Sequence, residues 1–91
     1  MKRNRTTEQL RRYVCDAEAA AARSHSLWRP VNMAIAWVLK DAIRRRHSRQ
    51  QVYSALMKMA GPKRRGEPVA HESFRAAARQ VGNGTRKLTL I

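Results

Sequence analysis

Residues 30–46 read PVNMAIAWVLKDAIRRR, and their reading decides the fold. Val31, Ala34, Ile35, Val38, Leu39, Ala42 and Ile43 recur at spacings of three and four, which places them on one face of a helix. Pro30 suits the first helical turn, where its missing N–H costs nothing. Arg44, Arg45 and Arg46 lie at the negative end of the helix dipole, where cations are favourable. No other stripe in the chain is as broad, so this helix is expected at the centre of the molecule.

Working outward, residues 48–60 begin with Ser48-Arg49-Gln50-Gln51, a capping box of Ser with Gln three positions on. Val52, Ala55, Leu56 and Met59 give that helix its inner face, and Gly61-Pro62 stops it. Residues 61–68, GPKRRGEP, carry two glycines, two prolines and three adjacent bases, and read as an exposed loop. A further helix is predicted over 71–81. Phe74, Ala77, Ala78 and Val81 form its inner side, and Gly82 and the Asn83-Gly84 turn signal end it.

On the other flank, residues 6–23 form a helix with Leu10, Tyr13, Val14, Ala17, Ala20 and Ala21 inward. Thr6 and Gln9 provide a second capping box. Residues 1–5, MKRNR, read as a flexible basic arm. The last five residues, KLTLI, alternate and are β-prone. The expectation is therefore an all-α single domain over residues 6–91. It has about four helices (6–23, 30–46, 48–60, 71–81), a tri-helical helix-turn-helix-like unit and a short C-terminal β segment.

Composition narrows the function. Lys and Arg number 20 against 6 Asp and Glu, for a formal charge of +14. Each half of the chain carries half of that excess, so the protein is basic throughout and its expected partner is a polyanion. Of 39 apolar residues 14 are alanine, and a chain of 91 residues buries only about 60–65% of its unfolded surface, so the core is thin. A single cysteine, Cys15, leaves no pair for a disulfide or a paired-cysteine zinc site. His25, His47 and His71 fit no metal spacing. The six acids are scattered, and no glycine-rich phosphate loop is present. The chain reads as a non-enzyme with no cofactor. The apolar run at residues 33–39 is too short to span a membrane, and no apolar region follows the basic start. A cytoplasmic setting is expected.

The last three predicted helices match the order long helix, short helix, short basic helix, in which the final helix enters the DNA major groove. On the last helix Phe74 and Ala78 anchor, and His71, Glu72, Ser73, Arg75 and Arg79 are expected to point outward. Arg49 and Gln50 open the helix before it. Lys63, Arg64 and Arg65 are expected to hold backbone phosphates from the loop. The run from Ile43 to Leu56, with the later His71-Glu72-Ser73-Phe74-Arg75, resembles small basic helix-turn-helix proteins of plasmids, phages and conjugative elements. It shares with them a basic-Ser-x-x-x-Val-x-x-x-Leu segment ahead of a Ser-Phe-Arg helix. The resemblance covers roughly residues 40–81. It departs from the pattern in its break of about ten residues, where a tight turn has three or four.

The resemblance implies sequence-preferring binding of double-stranded DNA, as a small transcription regulator or an accessory factor of a mobile element. A homodimer would enlarge the small footprint of one unit. Two other readings fit the same charge: an RNA-binding protein, and a phage- or plasmid-type inhibitor or adaptor that docks on an acidic host protein. Trp37 lies off the main stripe of its helix, where it would meet either a partner chain or the first helix.

Overall fold

The structure is a computed structural model that describes residues 5–61 and 68–90. Its elements are α1 (Arg5–Arg23), α2 (Arg29–Arg44), α3 (Arg49–Ala60) and α4 (Pro68–Asn83). The all-α expectation and the four helices hold. Between the last two, residues 62–67 lie outside the described residues.

The helices form two antiparallel hairpins. α1 packs chiefly on α2 and α3 chiefly on α4. In the first hairpin, Asn32 Nδ2 donates to Ser24 Oγ near one end (2.7 Å), and Lys40 pairs with Glu18 further along (3.1 Å). In the second, His71 lies against the carbonyl of Ala60, Gly82 against the Tyr53 ring, and Gly84 against Arg49. The start of α3 therefore meets the end of α4.

The predicted inner face of α1 is the observed one: Leu10, Tyr13, Val14, Ala17, Ala20 and Ala21 are all buried. α2 contributes Ile35, Leu39 and Ala42 to the core as expected, together with Ala36 and Asn32, while Val31, Ala34, Val38 and Ile43 are half-buried. Asn32 is inside because Ser24, at the turn between the hairpin arms, meets its amide. In α3, Val52 and Leu56 are buried, but Met59 is 54% exposed. Tyr53, Met57 and Ala60 pack on the core in its place, because α3 turns its face towards α4.

The helix ends follow local chemistry. Ser48 caps α3 with the full reciprocal box: its side chain accepts from the Gln51 N–H, and the Gln51 side chain accepts from the Ser48 N–H. The Thr6–Gln9 box does not form in that way. α1 already begins at Arg5, and the Gln9 amide is engaged elsewhere, donating to the carbonyls of Gly84 and Thr85 at 3.2 Å each. α4 is longer at both ends than the sequence indicates. Pro68 starts it, as proline can, and Gly82 lies within it. The helix ends at Gly84 (φ +66°), where Gly84 N–H bonds the Val81 carbonyl and Thr85 N–H the Gln80 carbonyl. That pattern is a Schellman motif with glycine in the left-handed position.

The C-terminal β segment does not form, and no strand occurs among the described residues. Residues 85–90 instead make an irregular strap across α1 and α4. Leu88 is buried, its N–H bonds Asp16 Oδ2 (3.0 Å), and Thr89 exchanges two hydrogen bonds with the Gln80 side chain. Side chains thus satisfy backbone groups that a neighbouring strand would otherwise have to meet.

Candidate nucleic-acid interface

α4 exposes one stripe and buries another. Glu72, Arg75, Ala76 and Arg79 face solvent, while His71, Phe74, Ala77, Ala78 and Val81 face the core. Gly82 continues the outer stripe one turn beyond Arg79 and lies against the Tyr53 ring. At its last turn the outer stripe therefore borders α3. Arg49 and Gln50 are exposed at the start of α3, at the same end as Gly84.

Two expected outward residues are turned inward. His71 is 8% exposed and Ser73 6%. Because α4 starts at Pro68, His71 falls three positions before Phe74 on the buried stripe. Its Nδ1 lies 3.2 Å from the Ala60 carbonyl and links the end of α3 to α4. The Ser73 hydroxyl has no hydrogen-bond partner among the described residues. The three-residue step from His71 to Phe74 is the sequence signal for the burial of His71. Glu72, Arg75 and Arg79 are exposed as expected. Lys63, Arg64 and Arg65 lie outside the described residues.

A second basic cluster is not evident in the sequence. Arg5 and Arg12 of α1, Arg49 of α3 and Arg86 after α4 line a cleft of about 420 Å³, together with Glu8 and Gln9. Gln9 is its bracket. Its Oε1 accepts from Arg49 Nη2, and its Nε2 donates to the carbonyls of Gly84 and Thr85. The Tyr13 hydroxyl also donates to the Thr85 carbonyl, which fixes the turn after α4 on α1. Arg5, Glu8 and Arg12 sit at steps of three and four on the polar face of α1, the one local sign of the cluster. The contributions of Arg49 and Arg86 depend on tertiary structure.

Three of the six acids are committed to contacts within the chain. Asp16 holds the strap, Glu18 pairs with Lys40, and Asp41 pairs with Arg44 (2.7 Å) and Arg45 (3.0 Å). The hydrogen bond from Arg44, with a further one from Arg45, holds the Asp41 carboxyl below its ordinary range despite partial desolvation. Arg46, next in the chain, is exposed and adopts a left-handed conformation (φ +56°).

Trp37 is 70% exposed, so the first helix does not bury it. No group of three His, Cys, Asp or Glu among the described residues could hold a metal, and no described helix is long and apolar enough to cross a membrane. No protein-family model, curated protein or solved structure matches the chain.

Proposed function

We propose that the protein is a sequence-preferring double-stranded DNA binder, acting as a small regulator or accessory factor of a mobile element. In this reading α2, α3 and α4 serve as a helix-turn-helix-like unit and α4 is the reader. One observation carries it. Arg75 and Arg79 stand exposed on one stripe of a helix whose opposite stripe is locked into the core, while Asp16, Glu18 and Asp41 are spent on contacts within the chain. A helix ~10–12 Å across fits a major groove ~12 Å wide. An arginine held on its outer face can give two hydrogen bonds to a guanine edge. Glu72 and Gln50 are suited to cytosine and adenine edges in the same groove.

The test is a set of duplex affinities measured against salt. If about five to seven phosphates are neutralised, log affinity falls against log salt with a slope of about −5 to −6. Arg75→Ala or Arg79→Ala lowers the ratio of specific to nonspecific affinity several-fold, since a lost bidentate contact costs ~1–3 kcal/mol at preferred sites only. A slope shallower than about −2, or RNA hairpins that displace the duplex at equal salt, overturns the reading.

A further inference from the structure

We propose that the arginine cleft between α1, the start of α3 and the turn after α4 is an oligophosphate site, and that its occupant is the sugar-phosphate backbone of the strand that α4 reads. The proposal rests on the DNA-binding reading and adds to it a second contact surface. Of the arginines that line it, the resemblance covers only Arg49.

Among the described residues the cleft lining has four guanidinium groups and one carboxylate, a charge of +3 drawn from positions 5, 8, 12, 49 and 86. Arginines so distant in the sequence converge only because the fold brings them together. Their mutual repulsion is a cost that a bound polyanion relieves. Guanidinium also suits phosphate, because its planar fork meets the oxygens two at a time.

The site is held in place before any ligand arrives. Gln9 restrains the Arg49 guanidinium and, through the Gly84 and Thr85 carbonyls, the turn that carries Arg86. The Tyr13 hydroxyl pins the same turn. Such bracing cuts the ordering cost of binding. Arg49 is the first residue of α3, just after its Ser48 cap, so the positive end of that helix dipole adds to the field of the cleft. The cleft also lies at the C-terminal end of α4, with Arg49 against Gly84 and Arg86 two residues beyond it, so a backbone leaving that end of the helix would meet it.

The experiment uses the full chain and an Arg12→Ala/Arg86→Ala double variant. Both side chains are exposed, so the unliganded variant should melt within about 2 °C of the parent. Two readouts follow. Inorganic pyrophosphate, compared with chloride at equal ionic strength, should raise the parent's Tm by several degrees and leave the variant's unchanged. On duplex DNA the variant's salt slope should flatten by about two units while the ratio of specific to nonspecific affinity stays the same.

A pyrophosphate shift that is equal in both proteins, or absent from both, overturns the site. An unchanged salt slope in a variant that has lost the pyrophosphate shift overturns the strand as its occupant. If the parent fails to bind duplex at all, the DNA reading falls, and the pyrophosphate comparison still decides whether the cleft binds oligophosphate.

Discussion

The guanidinium of Arg49 lies directly over Gly84: a Cβ added at residue 84 would come within 2.7 Å of Arg49 Nη1 and 3.0 Å of Cζ. Gly84 is also in the left-handed region (φ +66°) as the glycine of the Schellman motif that ends α4. One residue thus closes a helix and leaves room for a side chain of the basic cleft.

Gly84→Ala should therefore have two effects. The left-handed conformation costs a residue with a Cβ roughly 1–2 kcal/mol, which for a chain of this size lowers Tm by several degrees. The Arg49 side chain must also move off Gln9, because its flexible end yields more easily than the backbone. Thermal melts and the duplex salt slope should both change. A variant that melts like the parent would show that the turn relaxes without strain.

Much of this arrangement is legible in the chain, and the exceptions share a cause. The face of α1, the Ser48 box and the anchoring role of Phe74 are each set by residues three or four positions apart on one helix, and short-range periodicity reports them. His71 departs from its expected outward position because an early helix start at Pro68 moves it from the cap to the buried stripe. The strap resembles a strand in sequence because KLTLI alternates, whereas the groups that satisfy it, Asp16 and Gln80, lie on α1 and α4. Gln9 fits a local cap equally well, yet it reaches Gly84, 75 residues away. The cleft depends on long-range partners of this kind, which spacing alone cannot reveal.

Phe74 is 5% exposed and sits in the core with Leu10, Leu39, Leu56 and Val81. Phe74→Ala removes the ring from the middle of the buried stripe of α4 and should cost roughly 3–5 kcal/mol. That is a large share of the ~5–15 kcal/mol that holds a typical domain together. Denaturant melts should show a much lower midpoint. A midpoint close to the parent's would mean that α4 does not depend on this anchor.

Asp41 gives the acid limb of stability a specific origin. Its folded-state pKa is lowered, chiefly by the hydrogen bond from Arg44, so the pair contributes stability above the unfolded-state pKa. That contribution is lost as pH falls through the lower folded-state value. Asp41→Asn should melt below the parent at neutral pH, and the gap should narrow as pH drops below about 4. The pair is exposed, so the difference should be small and should shrink in high salt. A gap that persists unchanged at pH 2 would mean that Asp41 acts through something other than its charge.

Arg46 occupies the position that glycine takes at the end of α4. The Arg46 N–H bonds the Ile43 carbonyl and the His47 N–H the Ala42 carbonyl, which closes α2 in a second Schellman motif at φ +56°. A side chain there costs roughly 1–2 kcal/mol. Glycine would recover that strain but give back about 0.4–1 kcal/mol through a more flexible unfolded chain. Arg46→Gly should therefore stabilise the protein by roughly 0.5–1 kcal/mol, a Tm gain of a few degrees. Stability alone does not favour arginine at this position, and under the proposed DNA-binding function its exposed charge would suit a phosphate. The same variant should then lose about one unit of salt slope on duplex DNA, with no change in the preference among sequences. Melts and binding on one preparation separate the two effects. A higher Tm with an unaltered slope would remove Arg46 from the interface, and a lower Tm would show that the arginine side chain makes a stabilising contact of its own.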